Sequence, residues 1–148
     1  MSLTHKLSIY RNKTLQSGRD FFTEVRHIDL CNGVPIFIRT YLNNKYGNDI
    51  DFHTGAEITH DDLTTLYKNA IEMVETILKA NCGNIWNPDT EHCLPLTQKA
   101  RDLFGCKDSD FVYMISIYHF KELRNILKSL IDTLLDDDIL IFYKTWSR

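Results

Sequence analysis

Two stretches of the 148-residue chain repeat apolar residues at the helical period: Leu63 to Leu78 and Phe111 to Leu135. A helix places residues three and four apart on one face, so each stretch must bury a continuous stripe. In the first, Leu63, Leu66, Tyr67, Ala70, Ile71, Val74, Ile77 and Leu78 form the stripe, and Lys68, Glu72, Glu75 and Lys79 fall outside it. Thr59 reads as its N-cap, because a hydroxyl there accepts an N–H that the first turn leaves orphaned. Asp61 and Asp62 then face the positive end of the helix dipole. In the second, Phe111, Met114, Ile115, Tyr118, Leu123, Ile126, Leu127, Leu130, Ile131 and Leu134 keep the period behind an Asp108-Ser109-Asp110 cap. The β-branched run from Val112 to Ile117 leaves its first turns open to an extended form. Capping thus gives Asp61, Asp62, Asp108 and Asp110 a structural duty before any chemical one.

The remaining segments are shorter. Residues 1–20 are polar and basic, with Lys6, Arg11, Lys13 and Arg19; a short edge strand or an arm is open, and a solvated arm is favoured over a nucleic-acid arm. Phe21 to Leu30 alternates imperfectly, which favours a strand and leaves a short helix open. Pro35 to Tyr46 reads as a helix closed by Gly47, although Ile36, Ile38 and Thr40 keep a strand in play. Gly55 to Thr59 reads as a short strand, and residues 84–107 as an irregular segment too apolar for a free loop. Asp136-Asp137-Asp138 ends the second long helix, and Ile139 to Tyr143 is an apolar run that fits a buried C-terminal strand. At 43% hydrophobic residues the chain suits one domain over residues 1–148, and only six Gly and three Pro argue against a turn-rich sandwich. The expected class is α+β: a mostly helical single domain with two long amphipathic helices and a small sheet that includes the C-terminal strand.

No stretch nears the roughly 18 apolar residues that span a bilayer, and the start, Met-Ser-Leu-Thr-His-Lys, carries no apolar signal run. The expectation is a cytoplasmic protein with no membrane role, its Cys31, Cys82, Cys93 and Cys106 reduced. A net charge of −3 gives no overall pull toward nucleic acid. Trp86, Trp146 and the tyrosines would serve to stack bases only beside clustered Arg or Lys, and the sequence shows no such cluster.

Chemistry-bearing residues are sparse. Cys82, His92, Cys93 and Cys106 have the donor types that suit zinc but gaps too wide for the usual two-to-four-residue ligand spacing, so no metal is expected. Cys106 with His119 lacks any oxyanion element. His53 and His60, beside Asp49, Asp51 and Asp61, are the best candidates for a hydrolytic centre, although helix capping and a solvated loop account for them more simply.

In order along the second half stand the Leu63 to Leu78 helix, Leu94-Pro95 with Thr97, Phe104-Gly105, Tyr118 to Leu134, and Ile141-Phe142-Tyr143 with Trp146. This order resembles a group of small uncharacterised phage- and prophage-encoded proteins. In that group a helix precedes a Leu-Pro-Thr segment, an aromatic-Gly turn, an acidic and aromatic helix, and a short strand ending in Trp. Here Leu96 interrupts the Leu-Pro-Thr, a single Phe104 stands for the aromatic run, and Arg39 to Lys45 faintly echoes the group's N-terminal helix. The resemblance implies a phage or prophage context in a bacterial cytosol, and no site.

The functional expectation is a non-catalytic binding or interaction protein without cofactor. Its expected partner is a host or phage protein; nucleic acid is disfavoured, and homo-oligomerisation is left open. The alternative is a small hydrolase or nucleotide-processing enzyme using His53, His60 and nearby carboxylates.

Overall fold

Binary patterning at both ends of the chain builds a sheet. In the computed structural model, which describes residues 2–14, 17–30, 34–80, 86–87, 92–93 and 117–147, two long strands come first. They are β1 (Ser2–Thr14) and β2 (Asp20–Leu30), an antiparallel hairpin. Helix α1 (Val34–Tyr46), strand β3 (Ala56–Ile58) and helix α2 (His60–Ala80) follow. Two-residue strands β4 (Trp86–Asn87) and β5 (His92–Cys93) pair with each other. Helix α3 (Ile117–Thr133) and strand β6 (Ile139–Ser147) complete the described elements.

The main sheet is antiparallel, in the order β2-β1-β6-β3. This corrects the expectation of a mostly helical chain with a small sheet: among the described residues four strands and three helices share one core, and residues 2–14 form an inner strand, not a mobile arm. The reason is visible in β1, where the basic residues mask an alternation. Leu7 and Ile9 are buried while Lys6 and Tyr10 turn the other way, and charge density alone hid that period of two. β2, the Pro35 helix, β3 and the C-terminal strand form where the sequence favours them. Leu63 to Leu78 lies within α2, whereas the first part of the Phe111 to Leu135 stretch, the region around Cys106 and most of residues 84–107 lie outside the described residues.

One sheet face carries Leu7, Ile9, Leu30, Leu140, Phe142 and Ile58, all buried. Against it pack Phe37, Ile38 and Leu42 of α1, Leu63, Leu66, Ala70 and Met73 of α2, and Phe120, Leu123, Leu127 and Leu130 of α3. Phe37 and Phe120 meet edge to face at 5.4 Å between centroids, a geometry favoured by the ring quadrupoles.

Two carboxylates clamp this arrangement. Asp62 is wholly buried at the third position of α2. Its Oδ2 accepts the Thr59 N–H at 3.2 Å while its own N–H donates to Thr59 Oγ1 at 3.2 Å, a reciprocal capping box. The same carboxylate accepts the hydroxyls of Tyr41 (2.8 Å) and Tyr46 (2.7 Å) and the Lys45 ammonium, which ties α2 to α1. Burial works to raise its pKa, but the hydrogen bonds from Lys45, Tyr46, Tyr41 and the Thr59 N–H outweigh it and hold the carboxyl far below its usual range. Asp138, last of the acidic triplet, accepts both Arg11 Nε and Nη2 at 3.0 Å and the Leu135 N–H at 2.9 Å, closing the turn into β6.

Candidate functional site

The helix-facing side of the sheet emerges from cover at one end. Side chains two apart on a strand share a face, so Leu3, His5 and Leu7 of β1 align with Trp146, Lys144 and Phe142 of β6, each pair directly opposite in register. Leu7 and Phe142 are fully buried, whereas Leu3 is 40% and Trp146 62% exposed. Between them lie His5 and Lys144, both partly covered.

Aromatic rings back this end. The His5 imidazole stacks on Phe142 at 5.7 Å and 19°. Phe142 meets Phe52 edge to face at 5.4 Å, and the Arg39 guanidinium of α1 sits 5.0 Å from the Phe52 ring centroid. The turn carrying Phe52 and His53 is itself fixed. Lys144 N–H donates to the Phe52 carbonyl at 2.8 Å, Asp51 Oδ1 accepts the His53 N–H at 3.0 Å, and the Thr54 hydroxyl donates to Asp51 Oδ2 at 2.8 Å. Gly55 leaves the turn at φ +109°, where a Cβ would come within 2.6 Å of Ile141 Cγ2.

Burial lowers the His5 pKa first, and Arg39, Lys144 and His53 then lower it further, so the imidazole is held toward its neutral form. His5 Nε2 has no hydrogen-bond partner among the described residues. The nearby Asp51 carboxylate is held below its usual range by the Thr54 hydroxyl and the His53 N–H, so its oxygens are engaged within the turn. Lys6, Arg11, Lys45 and Lys128 each have an aspartate partner, but among the described residues neither Arg39 nor Lys144 is ion-paired.

Two other clusters carry polar chemistry. On the opposite sheet face, a register shift at Ile9/Tyr10 leaves Val25 unpaired and brings Glu24 and His27 onto one side. Ser8 Oγ donates to Glu24 Oε1 at 3.1 Å and shares a hydrogen bond with the Tyr143 hydroxyl at 3.1 Å, while His27 Nδ1 lies 3.6 Å from Glu24 Oε1. The residue types are those of a hydrolase, but Ser8 is wholly buried and its hydroxyl is engaged, so it is not presented to a substrate. A cleft of about 140 Å³ beside the start of α2 is lined by Glu57, Thr59, His60, Asp136 and Asp138 among others, with Asp138 already held by Arg11.

His53 and His60, paired in the sequence reading, are therefore divided between two surroundings. His53 belongs to the basic end beside His5, and His60 lines the acidic cleft at the other end of β3. Asp62 is a buried clamp, and Asp61 is exposed on α2. Among the described residues no three His, Cys, Asp or Glu side chains gather as a metal site. Cys82 and Cys106 lie outside the described residues, as do the side chains of His92 and Cys93.

Sequence reasoning missed the basic end because strand register assembles it from opposite termini. The available signal was the shared spacing of Leu3-His5-Leu7 and Phe142-Lys144-Trp146, which becomes meaningful once the two strands are neighbours. Comparisons with protein-family models, with curated proteins and with solved structures give no match, so the platform stands on its own chemistry.

Proposed function

We propose that this protein is a binding module without catalytic chemistry of its own, and that it receives an anionic partner on the platform of Trp146, His5, Lys144, Arg39 and His53. One observation carries the reading: Arg39 of α1, over the Phe52 ring, and Lys144 of β6, whose N–H bonds the Phe52 carbonyl, bring two cations to one end of the sheet, and among the described residues neither is ion-paired. Cations that approach one another cost free energy unless a ligand of opposite charge relieves them. The fixed turn and the stacked rings reduce the ordering cost of binding, which favours affinity. A bacterial cytosol and a phage or prophage context belong to this proposal as its setting, with a host or phage macromolecule as the partner. Self-association through β2 is the less favoured use of this fold. That edge strand exposes Phe21, Phe22 and Val25, but the bulge at Val25 and the charges of Glu24, Arg26 and Asp29 deter edge-to-edge pairing.

The test is a titration with heparin, a generic polyanion, followed by amide and imidazole NMR. Shifts centred on His5, Arg39, His53, Lys144 and Trp146 are expected. Shifts centred on Ser8, Glu24 and His27, or none, would refute the proposal.

A further inference from the structure

We infer that the anionic partner is single-stranded nucleic acid, with a base stacked on Trp146 and the adjoining phosphates held by Lys144 and Arg39. The inference rests on the platform's being an anion site and adds what the anion is. Three features of the surface argue for it.

The first is the exposed indole. A Trp that is 62% exposed, on the same strand face as a lysine two residues away, offers one flat apolar surface beside one positive charge. Base and phosphate alternate along a single strand in the same way, and stacking on an aromatic side chain is available to every base because each has a π-face. Same-face positions on a strand recur about every 6.6 Å, a spacing that lets neighbouring side chains address neighbouring parts of one nucleotide.

The second is composition. Protein–protein interface cores are depleted in lysine and built from contiguous apolar area. Here the exposed apolar part of the platform is Leu3 and Trp146, and inward from them His5, Lys144, Arg39 and His53 set the character. An acidic protein segment would satisfy the cations but leave the indole with little to cover it.

The third is openness. Among the described residues the cover of this sheet face stops at Phe142 and Trp146 is 62% exposed, so a chain can lie across it without being threaded. Duplex nucleic acid fits less well, because its base faces are already stacked and unavailable to Trp146. The sequence shows no Arg or Lys grouped beside the aromatics, whereas the fold brings Arg39 of α1 over Phe52, whose ring meets Phe142 on the strand that carries Lys144 and Trp146.

The experiment uses the full chain and three probes of known chemistry: a ten-residue oligothymidylate, a duplex of equal length, and polyglutamate. Binding is read by fluorescence anisotropy of labelled probes and by tryptophan quenching, with Trp146→Ala separating Trp146 from Trp86. Oligothymidylate should bind most tightly and quench. Trp146→Ala should weaken it roughly fivefold to a hundredfold, the loss of one stacked base, and leave duplex binding within about twofold. Trp146→Phe, which retains an aromatic face, should recover part of the loss. Arg39→Gln and Lys144→Gln should each reduce the salt dependence, log K against log salt, by about 0.7. If heparin shifts the platform resonances but oligothymidylate does not bind, the inference falls and the anion-binding reading stands. If polyglutamate binds more tightly than oligothymidylate and quenches Trp146, the partner is an acidic protein and the inference again falls. If no polyanion binds, both readings fail together.

Discussion

Replacing Asp62 with alanine removes the acceptor at which α1, α2 and the Thr59 cap meet. Four donors lose it at once: the hydroxyls of Tyr41 and Tyr46, the Lys45 ammonium and the Thr59 N–H. Their losses are unequal. Tyr46 is 51% exposed and the Lys45 side chain 42%, so water replaces the carboxylate for both. Tyr41 is half-buried and the Thr59 N–H is an orphan donor of the first helical turn, so these two carry most of the cost. A hydrogen bond to a charged group contributes about 1.5–3 kcal/mol, and a lost cap about 1 kcal/mol. With two donors stranded and some relaxation, Asp62→Ala should destabilise the fold by about 3 kcal/mol. For a chain of this size that lowers the melting temperature by roughly 10 °C, measurable by far-UV circular dichroism at pH 7. The sign of the acid response is also fixed. The folded carboxyl lies below its unfolded value of 3.8, so its stabilisation is complete above that value and is lost as pH falls below it. Wild type and Asp62→Ala should therefore converge in melting temperature as pH falls below about 4. A difference under about 2 °C at pH 7, or a gap that widens in acid, would refute the clamp.

Gly55→Ala combines a backbone at φ +109° with a Cβ 2.6 Å from Ile141 Cγ2, and should cost about 2–4 kcal/mol, read as a lower urea midpoint at unchanged m-value. Arg11→Gln and Asp138→Asn should each lower the melting temperature, and the double variant should lose less than the sum, because both remove one bidentate pair. By NMR, His5 should titrate below the ordinary histidine value of 6.5, and Lys144→Gln should move it upward. Because the folded imidazole resists protonation by burial and by Arg39, Lys144 and His53, its contribution to stability is full above 6.5 and declines as pH falls through the lowered folded value.

How much of this was legible in the chain depended on how local each signal is. The α2 stripe and the Thr59 cap are set within a few residues, and both stand in the structure with Asp62 in the capping duty assigned to it. The Pro35 helix and the run after Asp138 are equally local. β1 was not legible in the same way. Lys6 points off the core face, His5 toward the platform, and Arg11 and Lys13 prolong the core-facing side beyond its buried part, so only Leu7 and Ile9 report the buried side. Pairing supplies the rest, because β1 gains its partners from β2 and from β6 at the far end of the chain. The candidate site depends on the same non-local event. His5 and Lys144 mean little separately, and become neighbours only through register. The bulge at Val25 acts similarly on the other face: Glu24 and His27 are three apart and would fall on opposite sides of a regular strand, yet they meet.

The most direct test of the central claim is the salt dependence of polyanion binding by the wild-type protein and by the Arg39→Gln/Lys144→Gln double variant, both checked for an unchanged fold by circular dichroism. The platform account predicts that wild-type affinity falls steadily with salt, while the double variant binds at least tenfold more weakly at low salt and has a log K against log salt slope shallower by about 1.4, since two of the charges that displace counterions are gone. Equal affinities and equal slopes for the two proteins would contradict it.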